Sequence, residues 1–314
     1  MCIHMIYLLN VKNPTDSSCR AVGRLRRDVT VIVLNSYEEI NYRIIMLQTI
    51  LLFSQANRNE CFAGRMIHYQ KWLIRIERKV IRMKKIGLIG GTGPESTLMY
   101  YKELNSQIDS ITENKAMPDI AIESVNFRKA WNMVVDEDYK SLGEYLSEKV
   151  ELLKKSGAEV LALTAVTMHI VFDSIKEQTG VNLVSIPMSV CNEAKRCNYK
   201  RIGLLGTIFT MEKDYMKKDF EQAGIEVIVP NEKDRKLIAK RILEELEVGI
   251  VNESTLKEFN EIISRMKKEY GIEAVVIGCT ELPLLLNDDN CVLPCLDSVA
   301  IHIKEIIKLT GIDD

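Results

Sequence analysis

An apolar run, AVVIGC, ends on a cysteine at position 279 and is followed directly by Thr280 and Glu281. A thiol gives up a proton in its neutral form and takes one as thiolate, so Cys279 could do acid/base work if the fold presents it to a ligand. The alternative for a cysteine closing an apolar strand is a small inert core residue. A second candidate is the turn Gly90-Gly91-Thr92-Gly93-Pro94 between an apolar strand and a helical stretch. Pro94 suits a first helical turn, and backbone N–H groups beside Thr92 could hold a carboxylate. The strict GxGxxG spacing of a dinucleotide site is absent. Tyr100 and Tyr101, at helical spacing behind this turn, read as core and cleft wall.

These residues need elements to position them, and from Met83 the pattern supplies them. Short apolar strands (IGLIG, IAIESV, VLALTA, LVSIP, RIGLLG, IEVIVP, AVVIGC) alternate with helical stretches. The helices are expected over Glu95–Ile108, Leu142–Lys155, His169–Glu177 and Glu212–Ala223, as two helices between Glu232 and Tyr270, and from Ser298 onward. Such alternation implies parallel sheets with helices on both faces. The chain also repeats itself: KKIGLIG at Lys84 returns as KRIGLLG at Lys200, and GAEVLALTA at Gly157 returns as GIEAVVIGC at Gly271, offsets of 116 and 114. LVSIPMSV at Leu183 is echoed more faintly by CVLPCLDSV at Cys291. The expected fold is therefore α/β, with two pseudo-symmetric lobes, each a parallel sheet flanked by helices, and the active site in the interlobe cleft. Residues 83–181 with 298–314 form the first lobe and 182–297 the second. Ligands of open α/β sheets collect at strand carboxyl ends, here Ala165 and Cys279. Two opposed acid/base groups there would serve both faces of one carbon, but one of the two positions carries only a methyl group.

Charge divides the chain at the same place. Residues 1–82 hold 13 Lys/Arg and 6 Asp/Glu, whereas the rest hold 29 and 38, a net +7 against −9. The first stretch reads as a basic leader outside the working domain, and the acidic remainder disfavours nucleic acid. Its longest apolar stretch, Ile44 to Phe53, is about half the ~20 residues a membrane span needs. No secretory signal pattern is present. Eight cysteines include the close pairs Cys191/Cys197 and Cys291/Cys295, without CxxC or the histidine spacing of a zinc site. Reduced thiols in a cytoplasmic protein are expected, with no membrane partner.

Four stretches carry a resemblance: GLIGGTGPESTLMYY from Gly87, GAEVLALTAVTMH from Gly157, GTIFTMEKDYMKKDF from Gly206 and VVIGCTELPLL from Val275. Over nearly all of 83–314 the chain resembles the aspartate/glutamate racemases that work without pyridoxal phosphate. Glu281 after Cys279-Thr280 looks like the aspartate racemase branch. The resemblance implies a small dicarboxylic amino acid as substrate and no metal or organic cofactor. Homodimers are common in that family, though nothing in this sequence specifies one. It further implies two cysteines, one from each half, exchanging protons with the α-carbon. Cys279 matches the second, and its thiolate should be favoured by helix N-terminal N–H groups or a nearby cation.

The first-half motif departs from the family pattern, because Ala165 and Val166 stand where a Cys or Thr and an Asn are usual. Thr164 lies next door and could substitute only if the strand end twists. Thr167 and His169 match the pattern, so the substrate-binding turn of Ala165, Val166 and Thr167 is retained; His169 serves either that turn or local packing. Lys217 falls where the resemblance implies a lysine for the substrate carboxylate, within a run (Lys213, Lys217, Lys218) that also reads as a solvated helix face. Three functions follow: a racemase with a substitute first acid/base, a one-thiol enzyme resembling the arylmalonate decarboxylases, or a catalytically degenerate protein that binds a small acid.

Overall fold

The apolar strands assemble into two parallel sheets joined by helices that cross between them. In this computed structural model the described residues are 83–113 and 116–312; the basic leader lies outside them. The first half runs through β1 (Ile86–Gly90), α1 (Pro94–Ile111), β2 (Ile120–Ser124), α2 (Phe127–Val135), α3 (Tyr139–Lys155), β3 (Val160–Leu163), a 3-10 turn (Thr167–Val171) and α4 (Phe172–Thr179). After α5 (Ile186–Arg196), the second half comprises β4 (Arg201–Gly206), α6 (Ile208–Glu212), α7 (Lys218–Gln222), β5 (Glu226–Ile228), α8 (Glu232–Glu244) and α9 (Glu253–Tyr270). It ends with β6 (Ala274–Gly278), β7 (Cys295–Asp297) and α10 (Ser298–Leu309).

The strand orders are β2-β1-β3 and β5-β4-β6-β7. The sequence repeat reappears as register: Ile86 pairs with Val160, and the residues 116 and 114 further on, Ile202 and Ala274, pair with each other. Val184 makes an isolated bridge to Ala162, matching the pair Leu296 and Val276 in the other sheet. Every residue of β1, β3 and β6 is buried, as parallel strands covered on both faces require.

The two crossing helices follow the repeat. Val299, Ile303, Ile306 and Ile307 of α10 pack against Ile86, Leu88, Tyr100 and Leu104 of the first half. Ile186, Val190, Cys191 and Ala194 of α5 pack instead against Ile202, Leu204, Phe220 and Val276 of the second. At about 1.5–3 kcal/mol per buried aliphatic side chain, this exchange ties the halves together. Each helix starts at a capping side chain: Ser185 accepts from the N–H of Met188, and Asp297 from those of Val299 and Ala300. A buried polar chain adds to the lock. Tyr100 donates its hydroxyl to His302 Nδ1 at 2.7 Å, and His302 Nε2–H donates to the Val184 carbonyl at 3.0 Å.

Three expected elements differ. LVSIP is not a full strand, because Ser185 caps a helix that begins at Ile186. The helix expected over Glu212–Ala223 breaks, since Lys213 is extended (φ −81°, ψ 164°) and helix resumes only at Lys218. α2 was not foreseen; Asn126 caps it and Ala130 and Val134 bury its inner face.

Candidate active site

Cys279 follows the last residue of β6, and the 3-10 turn Leu282–Leu284 begins three residues later. Only 6% of it is exposed. The short connection folds Glu281 back over the strand end, so that the thiol donates to Glu281 Oε2 at 2.8 Å while Thr280 donates to the same oxygen at 2.6 Å. Burial pushes the Cys279 thiol well above its ordinary range, and the charge and hydrogen bond of Glu281 push it further. The charge of Glu247 acts in the same direction. The expected helix end or cation favouring thiolate is therefore replaced by a carboxylate that holds the proton on sulfur. In this state Cys279 is an acid, and Glu281 is the adjacent acceptor.

In the first half, β3 stops at Leu163 and the chain turns through Thr164, Ala165 and Val166 into the 3-10 turn. Thr164 is fully buried and donates to the Ile89 carbonyl at 3.2 Å, with Thr92 Oγ1 3.5 Å from its oxygen. That bond commits the one hydroxyl proton to the backbone, so the acid/base part expected of Thr164 requires its release. Ala165 and Val166 are buried and offer only apolar surface to the turn. His169 is a packing residue: Nε2 accepts the N–H of Ile186 at 3.1 Å, which leaves Nδ1–H to donate to the Ala165 carbonyl at 3.1 Å. With both ring nitrogens occupied and burial depressing its pKa to about 4, His169 is a neutral staple between the turn and α5.

Thr167 acts on Tyr215 of the second half, a residue that sequence reasoning missed. The Tyr215 hydroxyl hydrogen-bonds with Thr210 at 2.9 Å. Its pKa is raised by burial, and the charge of Cys279 contributes to that rise. Cys279 and Thr167 thus both act on the ionisation of one phenol. Tyr215 occupies this place because the break at Lys213 turns residues 213–217 out of helix and across the first half. There Lys213 bonds Glu137 Oε1 at 2.5 Å, Lys218 bonds Asp173 Oδ2 at 2.8 Å, and Phe209 meets Trp131 edge to face with centroids 5.6 Å apart. Lys217 belongs to the same segment, but its ammonium bonds the Glu212 carbonyl and Asp214 Oδ1, both at 3.2 Å.

The glycine turn is built as expected. Gly91 has φ 77°, and a Cβ there would lie 2.4 Å from Ser124 Oγ and 2.6 Å from the Val125 carbonyl oxygen. Thr92 is buried beside Thr164, and α1 starts with no side-chain cap, leaving first-turn N–H groups without a capping acceptor. Thr207 directly follows β4, where Gly91 follows β1, and it caps α6 by accepting from the Thr210 N–H. Among the described residues no cluster of three or more His, Cys, Asp or Glu is placed to hold a metal. No helix among them is long and apolar enough to cross a membrane.

Known proteins share this fold. A protein from Yersinia pestis described as an Asp/Glu racemase is 33% identical, with a TM-score of 0.69 over 73% of this chain and 99% of its own. An aspartate racemase homologue from Pyrococcus horikoshii is 35% identical, with a TM-score of 0.65 over 73% of this chain and 100% of its own. The Picrophilus torridus aspartate racemase, at 19% identity, shares the fold, with a TM-score of 0.57 over 73% of this chain and 94% of its own. The profile of the Asp/Glu/hydantoin racemase family matches residues 89–306, so this chain belongs to that family.

Proposed function

We propose that this protein is an amino-acid racemase of the aspartate/glutamate type that moves the α-proton without an organic cofactor. The observation that carries the reading is the Cys279 thiol at the end of β6, hydrogen-bonded to Glu281 at 2.8 Å. The hydrogen bond at 2.8 Å gives the thiol proton an acceptor beside the sulfur. With the proton on sulfur, Cys279 delivers it to a carbanion; with the proton passed to Glu281, the thiolate removes one from Cα–H. The substrate carboxylates bind to the uncapped N-terminus of α1 beside Thr92, to the turn of Ala165, Val166 and Thr167, to Thr280, and to Lys217 once it leaves Asp214. On the opposite face of the carbon, the Thr92–Thr164 hydroxyl pair, once Thr164 releases the Ile89 carbonyl, carries the proton that the missing first thiol would carry. The enzyme works in the cytoplasm, with residues 83–181 and 298–314 as one lobe and 182–297 as the other. The test is chiral analysis of aspartate and glutamate, each enantiomer incubated separately. Formation of the opposite enantiomer supports the reading; an unchanged enantiomeric ratio for all four refutes it.

A second reading is favoured by Ala165 together with the protonated thiol. A single acid suffices when the carbanion arises by loss of carbon dioxide, so a one-thiol decarboxylase fits the same site. Product formation from substituted malonates, in the absence of racemisation, selects it.

A further inference from the structure

Two buried side-chain oxygens have no hydrogen-bond partner among the described residues, Tyr139 Oη and Ser147 Oγ. Both belong to α3. A helix that joins parallel strands runs back against them, so α3 starts at the carboxyl edge of its sheet, where ligands of such sheets collect. Tyr139 is its first residue, whereas Ser147 lies two turns on, roughly 12 Å along the helix and away from that edge.

The turn before Tyr139 fixes where its ring goes. Glu137 closes the end of α2 at φ 54°, a left-handed conformation that glycine adopts more easily, and the Asp138 N–H donates to the Met133 carbonyl at 2.8 Å. Asp138 then caps α3 by accepting the Ser141 N–H at 3.1 Å. The Tyr139 ring and Phe209 both pack on the cluster that contains Ala165 and Met168. From the second half, the Lys213 ammonium stands 5.9 Å from the ring centroid while it bonds Glu137 Oε1 at 2.5 Å. Tyr139 therefore lies between the core of the first half and the segment after β4, and β4 ends at the same edge as β6, where Cys279 follows.

A buried hydroxyl without an acceptor is costly, and the neighbours of this one define the acceptor it suits. Lys213 is a cation with donors only, and the carboxylate of Glu137 is taken by that lysine. A phenol O–H beside an ammonium favours an anion. We propose that Tyr139 is a substrate-binding residue whose hydroxyl donates to a carboxylate oxygen of the amino acid held between the halves. This rests on the reading of the site as one for an acidic amino acid, and it adds a group that selects that acid by its charge. Tyr139 takes no part in moving the proton at Cα.

The test compares the native full chain with Tyr139→Phe, using aspartate and glutamate as probes in both urea unfolding and racemisation. Phenylalanine keeps the ring and removes only the unpartnered oxygen, so without ligand Tyr139→Phe should unfold at an unchanged or higher urea midpoint. The upward shift that aspartate or glutamate gives the native midpoint should shrink in the variant. The KM of the acid that is racemised should rise at least about tenfold, with kcat within about twofold. A ligand-induced shift as large in Tyr139→Phe as in the native chain overturns the proposal, whether or not the variant is less stable. So does a native midpoint that neither acid moves. A shift that depends on Tyr139 in a chain that racemises neither acid supports this binding role and refutes the racemase reading instead.

Discussion

The carboxylate beside Cys279 governs the proposed chemistry. Glu281 stabilises the protonated thiol through its charge and its hydrogen bond, so removing that charge must lower the thiol's pKa. In Glu281→Gln, the ultraviolet thiolate signal that is absent from Cys279→Ala should appear at lower pH than in the native protein. A signal that moves upward would mean that Glu281 is not the dominant neighbour. Cys279, Thr280 and Glu281 could be read from the sequence because a strand end followed by a polar pair marks a sheet's carboxyl edge. The sign of the pKa shift could not, because it depends on how the three-residue connection folds back. Tyr215 was illegible for a related reason. It sits in a stretch with the charge pattern of a helix, and only the contact of Lys213 with Glu137 explains why that stretch is not one.

Among the elements, the crossing helices depend on a polar chain that the sequence pattern does not announce. Tyr100 was expected in the core, and there its hydroxyl satisfies His302, which in turn satisfies the Val184 carbonyl. Tyr100→Phe leaves a buried imidazole nitrogen without its donor and should cost about 1–3 kcal/mol in urea unfolding. Because the pair acts as one unit, Tyr100→Phe combined with His302→Leu should cost less than the sum of the singles. Strict additivity would show that the two side chains act independently. The strands themselves were legible, since continuous apolar runs in β1, β3 and β6 are what two-sided burial demands. The end of LVSIP was not, because Ser185 is compatible with a strand until Met188 is seen to use it as a cap.

For the molecule as a whole, the duplicated sequence was the most informative signal, because offsets of 116 and 114 reappear as equivalent strand pairings. It could not reveal that the second half's 213–217 segment closes over the first. Acid stability is a property at this scale. Burial lowers His169 to about 4 and His302 to about 3, whereas in the unfolded chain both titrate near ~6.5. The unfolded state therefore binds more protons as pH falls below ~6.5. Stability present at neutral pH should fall by about 1 kcal/mol per pH unit per ring, down to about 4 for His169 and about 3 for His302. Urea titrations at neutral and acid pH measure this. Equal stability at both would contradict neutral buried imidazoles.

The central claim is that Cys279 exchanges a proton with a substrate carbon held between the two halves. Deuterium uptake at Cα of aspartate and glutamate in heavy water tests it most directly, with native protein, Cys279→Ala and Ala165→Cys compared side by side. The account predicts exchange by the native protein, its loss by at least about a hundredfold in Cys279→Ala, and faster two-way exchange in Ala165→Cys. Exchange that survives the loss of Cys279 would contradict it.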